Sequence, residues 1–306
     1  MDEFFTEALK IKNLAWYLVG GGIALLIIFG VIWWNMVYQN PYNVYWGMLS
    51  NSLSTSSVTK HLTQKSGATS LDQLIAFNFG TQNYAYGRTV LKDPVSTVHT
   101  ESIGTIKNDF IRYTNIETKQ KNRKGKTINF SPVLGKWAKA DAVNAPAQNG
   151  SAPFFIQSVI GLAGGNTVPI VNLPEQQRES LMKLLHDTDV YKTDVNKVKK
   201  KVVDGKMLYT YDVSVEPVAY VAFEKQLAND LGIKTLSQID PENYASQDAI
   251  KMNFVVDAHS HRLSAIKFQS SSHTETYTAY GMPPRTDIPK TTISDTKLQE
   301  LLTSVQ

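Results

Sequence analysis

The chain has 306 residues, of which 42% are hydrophobic and 19% are charged, a composition typical of a globular protein and too polar for one that crosses a membrane many times. It contains no cysteine, which excludes a disulfide scaffold, a thiolate zinc site, a cysteine nucleophile and a lipid anchor on an N-terminal cysteine. The net charge of +4 is too small to indicate nucleic-acid binding, so no nucleic acid is expected as a partner.

The first strong signal is an uncharged apolar stretch that covers residues 15–38. As a helix it would be roughly 36 Å long, which is enough to cross a bilayer. Aromatic side chains flank it at both ends, as interface anchors do: Trp16, Tyr17, Trp33, Trp34 and Tyr38. We therefore predict one transmembrane helix over residues 15–38. We expect it to stay uncleaved, because bulky residues stand where a signal peptidase needs small ones.

Lysines flank this stretch on one side only. Lys10 and Lys12 precede it, and the next basic residue is Lys60. Positive charges stay on the cytoplasmic side of a span, so residues 1–14 are predicted to be a cytoplasmic tail and residues 39–306 an extracytoplasmic domain. The protein is thus expected in the cell membrane as a single-pass protein, and the lack of cysteine and the short tail suit a bacterial envelope.

The first half of the predicted domain has one helix and then strands. Apolar residues over 41–54 have helical spacing and predict a short amphipathic helix. Short runs of β-branched and aromatic residues over 57–117 predict successive antiparallel strands. The stretches 119–135 and 142–153 are polar and predict surface loops with a short strand between them.

The second half alternates helices and hairpins. A short apolar helix is predicted over 153–162, and a second helix is predicted to start with Pro174. The pair Asp204 and Gly205 predicts the tight turn of a hairpin. A third helix is predicted to begin at Pro217, a meander of three strands to follow it, and a C-terminal helix to end the chain with Ser294 as its cap.

Signals for catalysis and metal binding are weak. Three Ser-x-x-Lys matches, at Ser57, Ser180 and Ser264, lack the partner motifs of penicillin-binding proteins and are interpreted as chance. His259 and His261 have the spacing of metal ligands but fall in a predicted turn. We therefore predict no catalytic residue, no metal site, no cofactor and no enzymatic activity.

Two basic runs, residues 119–126 and 197–201, stand out in this mildly charged chain. Such runs can contact anionic headgroups or wall polymers. The alternative interpretation is a solvated loop and the solvated outer face of a strand.

A long antiparallel sheet interrupted by apolar helices can enclose an apolar cavity. Six side chains on the predicted helices are the candidates for its lining: Phe154, Phe155, Ile156, Ile160, Tyr220 and Phe223. The alternative for each of them is an ordinary packed core.

The order of elements resembles the LolA/LppX-like superfamily of lipoprotein and lipid carriers. The resemblance covers roughly residues 42–280 and is strongest over 195–268, which contain the unit YTYDVSVEPVAYVAFEKQLANDLG between two hairpins. It implies an α+β fold in which a curved antiparallel sheet, a half-barrel, holds helices on its concave face and encloses acyl chains. Here a transmembrane helix takes the place of the lipid anchor found in that superfamily.

Two functions follow from these observations. The first is a membrane-anchored, non-enzymatic extracytoplasmic domain that binds a lipid or other apolar ligand between sheet and helices. The second is a cell-envelope interaction or sensor module that recognises a partner protein or an anionic wall polymer and has no ligand cavity.

Overall fold

The computed structural model describes residues 23, 25–80, 83–105, 108–122, 124–141, 167–231 and 240–305. It is an α+β fold in which one large, open, curved sheet carries helices. The α-helices of the domain, within the described residues, are α1 (Pro41–Ser52), α2 (Glu175–Asp187), α3 (Pro217–Asp230) and α4 (Asp295–Val305). The strands are β1 (Ser57–Ser66), β2 (Thr69–Phe79), β3 (Asn83–Lys92), β4 (Ser96–Thr105), β5 (Asn108–Thr118), β6 (Ala138–Asp141), β7 (Tyr191–Thr193), β8 (Lys199–Val203), β9 (Lys206–Val215), β10 (Ile250–Asp257), β11 (Arg262–Phe268), β12 (Thr274–Thr278) and β13 (Ile293–Ser294).

The sheet joins an N-terminal meander to a C-terminal one. Its order is β13-β6-β5-β4-β3-β2-β1-β12-β11-β10-β9-β7, and β8 pairs with β9 beside β7. The joint is the antiparallel pair β1 and β12, in which Lys60 lies opposite Tyr277. Only β13 and β6 pair in parallel among the described strands. Strands far apart in sequence therefore share one continuous face.

Helix α1 forms where the sequence predicts it. The Asn40 side chain accepts the N–H of Tyr42 at 2.9 Å, and Pro41 occupies the first turn, where its missing N–H costs nothing. Val44, Met48 and their neighbours Tyr45 and Leu49 are buried against the sheet. The apolar face of a short helix is thereby stabilised by tertiary packing.

One face of the sheet, here called the inner face, carries the helices. Alternation along each strand places Val58, Lys60 and Leu62 of β1 on this face. In β11 the inward positions change parity between Leu263 and Ile266, because a bulge shifts the register of β10 and β11 at Val255. The sequence pattern of this hairpin is irregular for that reason.

Helices α1, α2 and α3 build the main hydrophobic core over the strands β7, β9–β12, β1 and β2. Its largest fully buried aromatic side chains come from helices and strands alike: Tyr45, Phe77, Tyr211, Phe223 and Phe254.

The predicted tight turn between β8 and β9 is present, with φ of 49° at Asp204 and 77° at Gly205. The helices predicted to begin near Pro174 and Pro217 and the predicted three-stranded meander are confirmed.

A smaller core lies at the other end of the inner face. Helix α4 packs Leu298 against Ile111, Tyr113 and Ala138. The Ser294 hydroxyl accepts the N–H of Lys297 at 3.1 Å, which confirms the predicted cap. The C-terminal helix thus covers β5 and β6.

The N-terminal segment leaves the domain as an exposed apolar helix. Residues 25–33 are helical and Trp34–Tyr38 form one turn of π-helix. The side chains of 25–33 are all exposed, Leu26 by 74%. Within the described residues, no helix is both long enough and apolar enough to cross a membrane. The predicted tail 1–14 and most of the first half of the predicted span, including Trp16 and Tyr17, lie outside the described residues.

Candidate ligand site on the inner face of the sheet

Six small residues form a continuous patch on the inner face of β3 and β4, between the two hydrophobic cores. They make three consecutive cross-strand pairs, Ala85 with Gly104, Gly87 with Ser102 and Thr89 with Thr100. All six are buried. The described helices pack mainly against β6, β10, β11 and β13. We call this set the small-residue patch.

Larger side chains border the patch on both sides. The register places Phe77 and Ile75 of β2 beside Ala85 and Gly87. On the other side, Ile111 and Tyr113 of β5 stand beside Ser102 and Thr100. Given the usual spacings of strands and residues, the backbones of β2 and β5 are roughly 14 Å apart and the patch is roughly 13 Å long. We call the strip of small residues between the larger side chains of β2 and β5 the trough.

A buried carboxyl group lies at one end of the trough. Asp109 stands opposite Gly104 on the inner face and is only 8% exposed. Its Oδ1 atom has no hydrogen-bond partner among the described residues. Burial raises the pKa of Asp109 to about 7, because desolvation penalises the charged form. Below about pH 7 this group is mainly protonated, and it then offers an O–H donor at the end of an otherwise weakly polar trough.

A buried ion pair lies beyond the β2 side of the trough. Lys60 Nζ is 3.9 Å from Glu275 Oε1, and both side chains are almost fully buried. His273 and Tyr277 also bond the Glu275 carboxylate. Burial alone raises the pKa of Glu275, but the bonds from His273 and Tyr277 and the Lys60 charge outweigh it and leave that pKa low. Burial lowers the pKa of Lys60, and Glu275 offsets part of this effect.

A second buried carboxyl group comes from α3. Glu224 is only 8% exposed. Burial raises the pKa of Glu224 to about 8, and the Tyr220 hydroxyl one turn earlier opposes that rise. Burial raises the pKa of Tyr220, and the negative charge of the Glu275 carboxylate raises it further.

Two of the six predicted lining residues can be placed. Phe223 is fully buried in the main core, and Tyr220 is partly buried against it. Phe154, Phe155, Ile156 and Ile160 lie outside the described residues, as does the predicted helix 153–162. The two placed residues therefore belong to the main core, and the small-residue patch was not anticipated.

The sequence did hold a signal for the polar members of this region. Lys60 alternates with Val58 and Leu62, so the strand pattern already placed an amine among inward-facing side chains. Glu275 alternates in the same way with Tyr277. Asp109 alternates in the same way with Ile111 and Tyr113 of β5.

Strand geometry also accounts for the Ser-x-x-Lys match at Ser57. In a strand, residues three apart point to opposite faces, so Ser57 faces away from Lys60. A nucleophile and base cannot meet in that arrangement.

His259 and His261 anchor the N-terminal segment. The His261 ring stacks on Tyr38 with a centroid distance of 4.3 Å, and His259 lies 5.2 Å from the Trp34 ring. Among the described residues, no group of three or more His, Cys, Asp or Glu side chains is placed to hold a metal ion. The turn is thus a docking point for the chain's own aromatic residues.

An open groove of about 570 Å³ lies on the edge of the domain, away from the patch. Charged side chains of both signs line it, with Lys192 and Lys251 facing Asp194 and Asp212. The predicted basic loop 119–126 folds back on itself, because Lys121 bridges to Thr127 and Gly125 has a φ of 71°. Both features are polar surfaces.

No family model and no curated protein matches this sequence. Among solved structures, the chain is similar to LprF from Mycobacterium bovis, at a TM-score of 0.42 and 11% sequence identity, over 81% of this chain and 96% of that one.

Proposed function

We propose that this chain is a non-enzymatic, LolA/LppX-like domain that binds a lipid or other apolar ligand on the inner face of its sheet. The observation that carries the proposal is the small-residue patch with Asp109 at its end. Small side chains stand at the positions next to Phe77 and Tyr113 of the neighbouring strands, and a ligand would lie over them. A buried carboxyl oxygen without a hydrogen-bond partner is costly, and the polar end of a ligand would satisfy Asp109 Oδ1.

The order of elements supports the same proposal. From Val195 to Phe268 the chain forms the hairpin of β8 and β9, then Glu216 and helix α3, and then the hairpin of β10 and β11. This is the succession on which the resemblance to the carrier superfamily rests.

We further propose that the domain is tethered to the cell membrane, with a cytoplasmic N-terminus and the sheet outside the cytoplasm. The exposed apolar helix over residues 25–33 supports this, since exposed apolar surface of this extent marks an interaction site. The aromatic cluster of Trp33, Trp34 and Tyr38 follows it directly, where an interfacial belt would lie.

A photo-crosslinking experiment tests ligand binding. The full chain is reconstituted in nanodiscs that contain a trace of phospholipid with a diazirine on its acyl chain, and cross-linked peptides are identified by mass spectrometry. We expect cross-links in β3, β4 and β5 in addition to those in the N-terminal segment. Labelling of the N-terminal segment alone would contradict ligand binding and leave the tether intact.

A matched pair of variants separates a cavity from a solid core. Thr100→Phe fills the trough, whereas Thr114→Phe adds the same side chain to an exposed position of the adjacent strand β5. We expect Thr100→Phe to abolish cross-links to β3 and β4 with little loss of stability. A destabilisation of about 1–3 kcal/mol, typical of overpacking, together with unchanged labelling, would indicate a close-packed core instead.

The charged groove favours a second candidate, a module that recognises an envelope protein or anionic polymer. Lys192 and Lys251 lie on its rim, although Lys192 is also 3.5 Å from Glu216. Under this alternative, Lys251→Glu would reduce pull-down of wall polymer, and Thr100→Phe would not affect it.

A further inference from the structure

The hairpin formed by β8 and the start of β9, residues 199–208, is basic and exposed. All five residues of β8 are exposed, and Val202 is 59% exposed beside the turn. Lys199 pairs with Asp212 at 3.3 Å. In the part of the chain that the structure describes, no carboxylate lies within ion-pair distance of Lys200, Lys201 or Lys206. We call this element the basic hairpin.

The basic hairpin lies beside the point where the apolar N-terminal segment enters the domain. Lys200 Nζ is 4.9 Å from the centre of the Tyr209 ring, and the Tyr209 hydroxyl donates to the carbonyl of Gln39 at 2.9 Å. Only one phenol ring therefore separates the Lys200 ammonium group from the backbone that follows the π-helical turn.

The entry point is held by several contacts, so its orientation is fixed. Asn43 Nδ2 donates to the carbonyl of Val37 at 2.7 Å. Tyr211 donates to the carbonyl of Pro41 at 2.8 Å, and the Tyr38 ring stacks on His261. The segment and the strand ends around it therefore form one packed unit.

The strand register shows which end of the sheet this is. The turn before β9, the turn between β10 and β11, and the start of β1 all lie at the same end. The turn after Ser66 lies at the opposite end, and so does the basic loop 119–126, because β5 runs away from the N-terminal segment. The two basic runs of the chain thus occupy opposite ends of the domain.

We infer that the basic hairpin docks onto the anionic lipid surface into which the apolar segment inserts. The inference rests on the proposed membrane tether. Its partner is the headgroup layer, because three cations without carboxylate partners and the exposed Val202 and Val203 combine charge attraction with a shallow apolar contact. Docking fixes the orientation of the sheet relative to the membrane.

A spin label measures this contact. Because the chain has no cysteine, Val202→Cys provides a single labelling site, and Ser66→Cys provides a control at the far end of the sheet. The labelled full chain is placed in nanodiscs of phosphatidylcholine, with or without a one-third fraction of phosphatidylglycerol. Collision with oxygen and with a water-soluble nickel chelate then reports depth. We expect the label at 202 to enter the headgroup layer only in the anionic discs, and the label at 66 to stay in water.

Charge reversal gives the matched control. The triple variant K200E, K201E and K206E removes the docking charges, and K121E, K124E and K126E makes the same change in net charge at the opposite end. Each lysine near an anionic surface contributes about a fivefold factor, so the first variant is expected to lower the docked-to-undocked ratio about 100-fold. The second is expected to leave it unchanged.

Every other result is also decisive. A label at 202 that stays in water in anionic discs, or immersion that survives the first triple variant, overturns the inference while the tether stands. If carbonate washing strips the chain from neutral discs, the tether is wrong. Docking is then tested by sedimentation with phosphatidylglycerol vesicles, where the wild-type chain should bind in a salt-sensitive way and the first triple variant should not. Failure of the wild-type chain to sediment overturns docking as well.

Discussion

Two regions of the inner face differ in the size of their buried side chains. Over β9–β12, helix α1 packs Tyr45 against Tyr211, in the same core as the fully buried Phe254. Over β3 and β4, three cross-strand pairs are built from Gly, Ala, Ser and Thr. The first region is what a stable core requires. The second buries little apolar area per residue and therefore contributes little to the stability of the fold. The first region therefore contributes most of the stability, and the second is where the proposed ligand would bind.

The largest expected effect comes from removing an aromatic ring in the packed region. Phe254 is fully buried and contacts the Tyr191 ring, so Phe254→Ala is expected to destabilise the fold by about 3–5 kcal/mol. Thr100→Ala in the patch is expected to cost less than about 1 kcal/mol. Urea unfolding followed by tryptophan fluorescence measures both. Equal losses would remove the distinction between the two regions.

A buried acid in the packed region gives the next effect. Because the pKa of Glu224 rises from 4.5 to about 8 on folding, the folded state holds its proton more tightly than the unfolded state. Stability is therefore lost as the pH rises from about 4.5 to about 8. Glu224→Gln is expected to add about 3 kcal/mol at pH 7 and nothing near pH 4.

Unfolding curves at several pH values test this sign. The exposed Glu179 on α2 provides the control, since Glu179→Gln should leave the pH dependence as it is. A gain from Glu224→Gln that does not change with pH would mean that the carboxyl group is not neutral in the folded protein.

Close packing at helix α1 predicts an intermediate effect. A Cβ atom at Gly47 would lie 2.5 Å from His261 Nδ1, so Gly47→Ala must displace the ring that stacks on Tyr38. We expect a loss of about 2 kcal/mol from overpacking and faster hydrogen exchange at the entry of the N-terminal segment. Gly30→Ala, which has open space around it, is the control and should lose nothing.

The smallest effect is expected in helix α4, which covers β5 beside the small-residue patch. Ser294→Ala removes the cap of α4 and is expected to cost about 1 kcal/mol. Hydrogen exchange should accelerate in α4 and in β5 but not in α1, because the two cores are separate clusters. Ser304→Ala near the other end of α4 is the control. Acceleration in α1 would show that the cores are coupled across the patch.

Local chemistry made much of the fold predictable. The cap at Asn40, the turn at Asp204 and Gly205, and the prolines that open α1 and α3 each act over a few residues. Alternation in β9 identified its buried face directly. The site was less predictable, because Phe223 faces the core for the same reason that any apolar helix residue does. The size of the Phe223 ring gave no information about where the small-residue patch would lie.

The amino-acid sequence by itself determined the elements, their order and the face that each one buries, since these follow from periodicity, caps and turns between near neighbours. Only the tertiary structure decided that β1 pairs with β12, that residues 85–89 meet residues 100–104, and that Asp109 Oδ1 has no hydrogen-bond partner among the described residues. Strand register and burial depend on groups far apart in the chain, and such contacts leave no mark in a local pattern. The placement of the basic hairpin beside the N-terminal segment was decided in the same way, by hydrogen bonds that join residues 170 positions apart.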